Sequence, residues 1–242
     1  MLGLLPTCLP SCNQPLFISL AGFFHFCEFS VLPVAVYPFN SETFANDVSQ
    51  HKAVGELVGT LFSPGINGDP GGSIEVQGRA DSYIELSRDA GNLNIKLSIT
   101  ILLFVYPMGS PGPIVNYKKD GHGVQIYETG SALAARVIQR NDGRTKPVET
   151  KKKLQRDQWH FIGMTYNYSS GLVKLWEDGR EVASRNIGSI QIATQFDVRI
   201  GARQIVNDYN FFRGRVACLQ FYSTALTQRE IEKARIACIP CK

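Results

Sequence analysis

The acidic side chains whose spacing comes closest to glycan-cleaving chemistry lie in one stretch, Trp176-Glu-Asp-Gly-Arg-Glu181. Glycoside hydrolysis needs two carboxyl groups about 5–10 Å apart, one serving as acid and the other as nucleophile or base. Glu177 and Asp178 are adjacent, so in a strand their side chains would face opposite sides of the sheet. Asp178-Gly179 is also the dipeptide that a two-residue type I′ turn favours. The stretch therefore predicts a β-hairpin rather than a catalytic pair.

The remaining reactive residue types form no catalytic arrangement in the sequence. No Gly-x-Ser-x-Gly elbow occurs. Cys8-x-x-x-Cys12 and Cys238-x-x-Cys241 lack the spacing of a zinc site. No recognisable motif surrounds the histidines, which are His25, His51, His122 and His160. We therefore predict that the protein is not an enzyme and has no catalytic residues.

A basic cluster is the strongest charge feature of the chain. Between Arg140 and Arg156 lie seven basic residues and only two acidic ones, Asp142 and Glu149. Such a patch can bind sulfated glycans or other anionic polymers by counterion release, and a solvated loop between two strands is the alternative interpretation. The candidate anionic-glycan patch consists of Arg144, Lys146, Lys151, Lys152, Lys153 and Arg156.

Composition limits the classes of protein that must be considered. The chain has 242 residues, 44% of them hydrophobic and 19% charged, which is typical of a globular protein with one large β-type domain or two small ones. Twenty-five basic residues against 21 acidic ones give a net charge of +4, so we predict no nucleic-acid partner.

The first part of the chain differs from the rest, because no Lys or Arg precedes Lys52. Residues 16–27 form an uncharged run of twelve, and a bilayer span needs about 20 residues, so we predict no transmembrane span. Residues 1–33 are interpreted as an apolar segment, either a signal peptide or an extension ahead of the domain. Residues 34–242 are assigned to a single domain.

Short apolar or alternating runs closed by Gly, Pro, Asn or Asp recur along this domain and predict an antiparallel sandwich. One helix is expected, because Thr227-Gln-Arg-Glu230 is a capping box. The predicted strands are 34–39, 72–76, 83–86, 97–106, 113–117, 123–129, 132–140, 160–167, 172–177, 181–186, 198–201 and 214–222.

An ordered set of motifs identifies a family resemblance over roughly Val34 to Cys238. The set resembles the laminin-G-like jelly roll of the concanavalin A-like lectin and glucanase superfamily, in its pentraxin-like branch. The resemblance implies an all-β, two-sheet antiparallel jelly-roll sandwich with one short C-terminal helix. The motifs that carry it are Trp159-His-Phe-Ile-Gly-Met-Thr-Tyr166, Gly171-Leu-Val-Lys-Leu-Trp-Glu-Asp-Gly179, Val198-Arg-Ile-Gly201, Phe212-Arg-Gly-Arg-Val-Ala-Cys-Leu-Gln-Phe-Tyr222 and Ala225-Leu-Thr-Gln-Arg-Glu-Ile231.

By this resemblance we expect a secreted or extracellular recognition module that binds a glycan or an extracellular matrix protein, through rim loops or the concave face. The alternatives are a glycan-cleaving hydrolase of the same superfamily and a purely structural matrix module. The sequence does not specify the ligand or the oligomeric state.

The resemblance also implies a calcium site and a disulfide. Asp47, in Asn46-Asp-Val-Ser49, matches the aspartate of the family's first-loop motif, but the last strand lacks the family's second acid. We therefore expect a weak calcium site at best, and Asp47 alternatively caps a turn. Similar domains often close the C-terminal unit with a disulfide, which predicts Cys218–Cys238, with Cys241 as a substitute or two free thiols as the alternative.

One modification site follows directly from the residues. Asn167-Tyr-Ser169 is the single Asn-x-Ser/Thr sequon in the chain, and Ser169-Ser-Gly171 predicts an exposed turn after it. We predict N-glycosylation at Asn167 if the protein is secreted.

Overall fold

The computed structural model describes residues 31–88, 93–117, 123–203 and 210–237. Within these ranges the chain forms fifteen strands and one helix, α1 (Gln228–Ala237). The strands are β1 (Ala35–Tyr37), β2 (Gly55–Val58), β3 (Leu61–Ser63), β4 (Ser73–Gln77), β5 (Tyr83–Leu86), β6 (Ile99–Pro107), β7 (Pro113–Tyr117), β8 (Gln125–Glu128), β9 (Leu133–Arg136), β10 (Val148–Glu149), β11 (His160–Asn167), β12 (Leu172–Glu177), β13 (Arg180–Asn186), β14 (Val198–Ile200) and β15 (Arg213–Tyr222).

The strands form two antiparallel sheets. The eight-stranded sheet has the order β13-β12-β11-β6-β15-β4-β3, and β1 also pairs with β15. The seven-stranded sheet has the order β10-β9-β8-β7-β14-β5-β2. Neighbours such as β6 and β15 are far apart in sequence, so long crossover connections build both sheets. The predicted all-β, two-sheet sandwich is confirmed.

The main core lies between the two sheets and explains the alternation in their strands. Ile101 and Leu103 of β6 and Val198 and Ile200 of β14 are fully buried in it. Phe221 of β15 joins the same core through edge-on ring contacts with two tyrosines. Burying each such side chain contributes roughly 1.5–3 kcal/mol.

A second apolar cluster lies where α1 covers part of the outer face of the eight-stranded sheet. Phe104, Phe161 and Trp176 pack there with Ile231 and Ala234 of the helix. The predicted capping box starts the helix, because the Glu230 carboxylate accepts the Thr227 N–H at 2.7 Å and the Thr227 hydroxyl oxygen accepts the Glu230 N–H at 3.4 Å. No helix in the described ranges is both long and apolar enough to cross a bilayer.

The predicted strands are all present, and the structure adds three more. β2 and β3 are short edge strands, and β10 has only two residues. Edge strands bury little, so their sequences lack the strict alternation that betrays a half-buried strand. The Asp178-Gly179 hairpin turn is confirmed, since both residues have positive φ, at 50° and 80°.

Candidate functional site

Alternate residues of the seven-stranded sheet point away from the core. Arg199 lies between the buried core residues Val198 and Ile200 and therefore faces outward. The strand register places one outward polar residue of each of six strands in a single row. With strands about 4.8 Å apart, this row extends over about 24 Å. We call it the polar face; it consists of Glu56, Glu85, Arg199, Asn116, Gln125 and Arg136.

One half of the polar face is held rigid by Arg199. Its guanidinium carbon lies 3.8 Å from the centroid of the Tyr83 ring, and its Nε donates to Glu85 Oε2 at 2.9 Å. Arg199 Nη2 pairs with the same oxygen. A guanidinium that is both stacked and paired is fixed in position, so this half of the row is preorganised.

The middle of the polar face is a buried, hydrogen-bonded floor. Asn116 and Gln125 are almost completely buried. Asn116 Oδ1 accepts the Gly123 N–H at 3.1 Å, and Gln125 Oε1 accepts a bond from Arg203 Nη1 at 3.2 Å. Because buried amides are costly unless paired, these bonds fix the floor and bring Arg203 to its margin.

The other half contains a more open corner around Tyr127, which lies two residues after Gln125 on the same side of β8. The Arg136 guanidinium carbon is 5.9 Å from the Tyr127 ring centroid. Burial raises the pKa of Tyr127, although Arg136 and Arg203 act to lower it, and nearby Glu149 acts to raise it. Arg136 Nε is buried and makes no hydrogen bond in the described part of the chain. The corner therefore combines an aromatic ring with the guanidinium of Arg136, and Arg203 adds positive charge.

The predicted basic patch is divided by the structure into two parts. Lys151, Lys152, Lys153 and Arg156 line one open groove of about 520 Å³, together with the tip of the β8–β9 hairpin. Arg144 and Lys146 are exposed on the loop before β10 and do not line it.

Arg156 differs from the three lysines of this groove because it serves the buried Glu128. Arg156 Nη1 donates to Glu128 Oε2 at 2.9 Å. Burial raises the pKa of Glu128, although Arg156, Lys153 and His160 favour its charged form. The exposed cations available to a ligand in this groove are therefore Lys151, Lys152 and Lys153.

Asp47 is buried and its carboxylate is bonded to donors of the chain. Oδ1 accepts the N–H groups of Val36 and Ser49, both at 2.8 Å, and Oδ2 accepts the Ser49 hydroxyl at 2.6 Å. This geometry favours the turn-capping interpretation, and the weak calcium site stays a prediction.

The remaining predicted sites are the Asn167 sequon and the cysteines. Asn167 is half-buried, and its Oδ1 accepts the Ser169 hydroxyl at 2.7 Å, so it starts the expected turn while glycosylation stays a prediction. Cys218 is disulfide-bonded, but its predicted partner Cys238 lies outside the described residues, so this pairing stays a prediction. Cys8, Cys12, Cys27, Cys241 and residues 1–30 also lie outside them.

The structure brings together three residues that the sequence did not connect. Asp178 lies in the predicted turn, with φ at 50°, so the rule that adjacent strand residues face opposite sides of a sheet does not apply to it. His160 Nδ1 lies 3.1 Å from Glu177 Oε1 and 4.0 Å from Asp178 Oδ2. Burial lowers the pKa of His160, but the two carboxylates and a bond to the Gln155 carbonyl outweigh it and raise the pKa overall.

A family comparison agrees with this architecture. The family model of the concanavalin A-like lectin/glucanases superfamily matches residues 77–232. The chain belongs to this superfamily. Among curated proteins, no sequence match to the chain is found.

Solved structures with a similar fold include toxin binding domains. The binding domain of Paraclostridial Mosquitocidal Protein 1 is 17% identical and has a TM-score of 0.64, and the match covers 83% of this chain and 51% of that one. The botulinum neurotoxin serotype G binding domain is 14% identical with a TM-score of 0.67, covering 85% and 51%. A botulinum neurotoxin type C structure, described as dependent for cell entry on two ganglioside molecules, is 12% identical with a TM-score of 0.66, covering 87% and 52%. At these identities the likeness shows the fold alone, and the chain spans about half the length of these structures.

Proposed function

We propose that the protein is a non-catalytic recognition module that binds a glycan through the polar face. Arg199, Asn116 and Gln125 in the row are buried. The observation that carries the proposal is therefore its partly exposed end, the Tyr127 corner, where the Arg136 guanidinium lies beside an aromatic ring. Binding sites combine a few fixed polar groups with apolar or aromatic surface, and the polar face has both. The related type C toxin is described as interacting with gangliosides, which supports a glycan as the ligand class.

The chemistry of the Tyr127 corner favours a glycan that carries a carboxylate. The Arg136 guanidinium lies 5.9 Å from the Tyr127 ring centroid, and both Arg136 and Arg203 act electrostatically on this ring. Guanidinium groups recognise carboxylates through paired, charge-assisted hydrogen bonds, and an aromatic face packs against the apolar side of a sugar ring. Arg136 is only partly buried, so the Nη groups of its guanidinium supply the donors for such a ligand.

A glycan array with sialylated and neutral members, run with and without calcium, tests the proposal. We expect sialylated glycans to bind, and Arg136→Gln to weaken binding by about tenfold or more, the worth of one charge-assisted bond of 1.5–3 kcal/mol. Arg180→Gln is the matched control, because Arg180 is exposed on β13 of the eight-stranded sheet, off the polar face and the basic patch. Unchanged binding by Arg136→Gln and Tyr127→Ala would reject the polar face as the site.

A second candidate ligand is a sulfated polymer bound at the groove beside Lys151–Lys153. Three adjacent exposed lysines on an open groove match a repeating anionic chain better than a single small ligand. On a heparin column, the triple Lys→Ala variant at 151–153 is expected to elute at lower salt than the parent, and Arg136→Gln is expected to elute with the parent. Retention of the triple variant at the parent's salt concentration would exclude this groove.

On the polar face, one pair of carboxylates bears on the hydrolase alternative. Glu56 and Glu85 lie directly opposite each other on neighbouring strands of the polar face. Arg199 holds Glu85 through two nitrogens, and Glu56 is exposed, which suits a structural ion pair better than a water-excluding catalytic cleft. We therefore propose no enzymatic activity. Release of reducing sugar that disappears in Glu56→Gln would overturn this.

We also propose that the protein functions outside the cell. Disulfides persist mainly in oxidising compartments, so the disulfide-bonded state of Cys218 supports this location. Mass spectrometry of material secreted by cultured cells tests both this location and glycosylation at Asn167. Retention of the protein inside the cells would reject the location, and unmodified Asn167 in secreted material would reject the glycosylation.

A further inference from the structure

Three potential metal ligands converge where the start of β11 meets the β12–β13 turn. His160, Glu177 and Asp178 each offer a ligand atom, and these atoms all lie within 4.8 Å of one another. Zinc bound by nitrogen and oxygen at 2.0–2.2 Å places neighbouring ligand atoms of a tetrahedron about 3.3 Å apart. The distances of 3.1 Å and 4.0 Å from His160 Nδ1 to the two carboxylates are close to this value.

The far side of the His160 ring determines what Nδ1 presents to these carboxylates. His160 Nε2 lies 3.1 Å from the Gln155 carbonyl oxygen, which can only accept, so Nε2 carries a hydrogen. The Gln158 amide lies 3.3 Å from the same nitrogen, and an amide can turn its oxygen towards it. In the neutral ring Nδ1 therefore presents a lone pair. A carbonyl that fixes the ring in this way is the usual partner of a metal-binding histidine.

The near side consists of acceptors. His160 Nδ1 is buried and has no partner with hydrogen-bond geometry in the described part of the chain, although the Glu177 carboxylate is 3.1 Å away. A lone pair facing two carboxylates is unfavourable unless a proton or a metal cation lies between them, and a metal-free protein meets this with a proton on His160. The cluster thus has the charge and the donor set that a divalent cation neutralises.

The surroundings leave one oxygen of each carboxylate for the cation. Asp178 Oδ1 already accepts the Phe161 N–H at 3.1 Å and lies 3.7 Å from Arg235 of α1, which leaves Oδ2 for a metal. The side chains of Glu177 and Asp178 are 30% and 44% exposed, so an ion can enter and keep a water ligand.

We propose that His160, Glu177 and Asp178 form a zinc site that ties the start of β11 to the β12–β13 turn. A nitrogen ligand and only two carboxylates favour zinc over calcium, which takes six to eight oxygens. The site is separate from the polar face, because β11 and β12 belong to the eight-stranded sheet. It does not depend on the proposed glycan binding.

Titration calorimetry of the chelator-treated protein with zinc chloride tests the proposal, with calcium chloride as the comparison. We expect the parent protein to bind one zinc ion per chain. The calcium titration uses the Asp47→Ala variant, which lacks the other predicted calcium ligand, and we expect no saturable calcium binding at the same concentrations. Cobalt(II) is expected to give the visible absorption of a four-coordinate site.

Two variants and one control separate a metal site from an ordinary ion pair. Asp178→Asn keeps a residue suited to the type I′ turn and an oxygen for the Phe161 N–H, while Glu177→Gln removes the second carboxylate. Removing a group that only hydrogen-bonds to a metal ligand lowers metal affinity by about 10–100-fold. Because each variant changes a ligand itself, we expect each to lower zinc affinity by at least that factor. Glu181→Gln, whose carboxylate pairs with Lys174 on the same hairpin, is expected to bind zinc normally. Zinc binding that is absent in the parent, or unchanged in both variants, would overturn the site and leave an ion pair only.

Discussion

The two outer faces of this sandwich differ in what covers them and in their polarity. On the eight-stranded sheet, helix α1 covers an apolar surface that includes Phe104, Phe161 and Trp176, and the result is a second core. On the seven-stranded sheet, the corresponding surface is the polar face. There the outward residues pair with one another, as Arg199 does with Glu85, instead of packing beneath a helix.

The difference shows that the sandwich itself requires only its inner faces. Both sheets contribute alternating apolar residues to the main core, and that burial is shared by the whole fold. An outer face is then free either to add stability or to present polar groups to a ligand. We infer that the helix-covered face serves stability and that the polar face serves recognition.

The largest effect is expected from opening the second core. Phe161→Ala removes a buried ring that contacts Phe104 at a centroid distance of 4.7 Å, and such truncations cost about 3–5 kcal/mol. Urea unfolding of the two proteins measures the difference. Ile236→Ala is the control on the same helix, because Ile236 is 69% exposed and its loss should change stability by no more than about 0.5 kcal/mol. If Phe161→Ala lowered the free energy of unfolding by less than about 1 kcal/mol, the change would be of the size of a surface substitution and would contradict the idea of a second core.

A smaller effect is expected on the polar face. Arg199→Met leaves Glu85 without its guanidinium, and because Glu85 is partly exposed we expect about 2 kcal/mol, below the 3–5 kcal/mol of a fully buried pair. Combining it with Glu85→Gln should recover part of the loss, since no uncompensated charge then remains. If the two losses simply add in a double-mutant cycle, the pair does not organise this face.

Removing the cap of α1 measures how much the cap contributes to the stability of the helix on its sheet. Thr227→Ala removes the hydroxyl that accepts the Glu230 N–H, and we expect a loss of about 1 kcal/mol. Gln228→Ala, at the next exposed position, is the matched control. Equal unfolding midpoints for Thr227→Ala and the parent would show that helix packing alone fixes α1.

The sequence predicted most of the fold, because alternation, turn dipeptides and the capping box are local signals. The hairpin at Asp178-Gly179 and the start of α1 are examples in which neighbouring residues determine the geometry. The short edge strands β2 and β3 were not predicted, because residues such as Leu61 and Phe62 are exposed there without a regular pattern.

The candidate site was much less predictable, because it depends on register between distant strands. Glu85, Asn116 and Arg199 are each ordinary polar residues in apolar strands, and alternation marks each one as outward-facing. Only the pairing of β5, β14 and β7 puts them in one row. The same holds for His160 and Asp178, which are brought together by β11–β12 pairing and a left-handed turn residue.

The smallest effect concerns the buried carboxylate of Glu128, at the end of β8. Burial raises the pKa of Glu128 above its ordinary value of 4.5, although Arg156, Lys153 and His160 favour the charged form. The folded protein therefore holds this proton at a pH where the unfolded chain has released it. Stability from this group is present below the ordinary pKa and is lost as the pH rises through the raised one.

Glu128→Gln cannot titrate and should lack this component of the pH dependence. The stability of the parent relative to Glu128→Gln is therefore expected to fall as the pH rises from 4.5 through the raised pKa, and to stay level above it. Urea unfolding at a series of pH values measures this difference, with Glu149→Gln, an exposed neighbour on β10, as the control. A difference that instead grows with pH would mean that Arg156 outweighs burial. Glu128 would then form a stabilising ion pair with Arg156, as Glu85 does with Arg199 on the polar face.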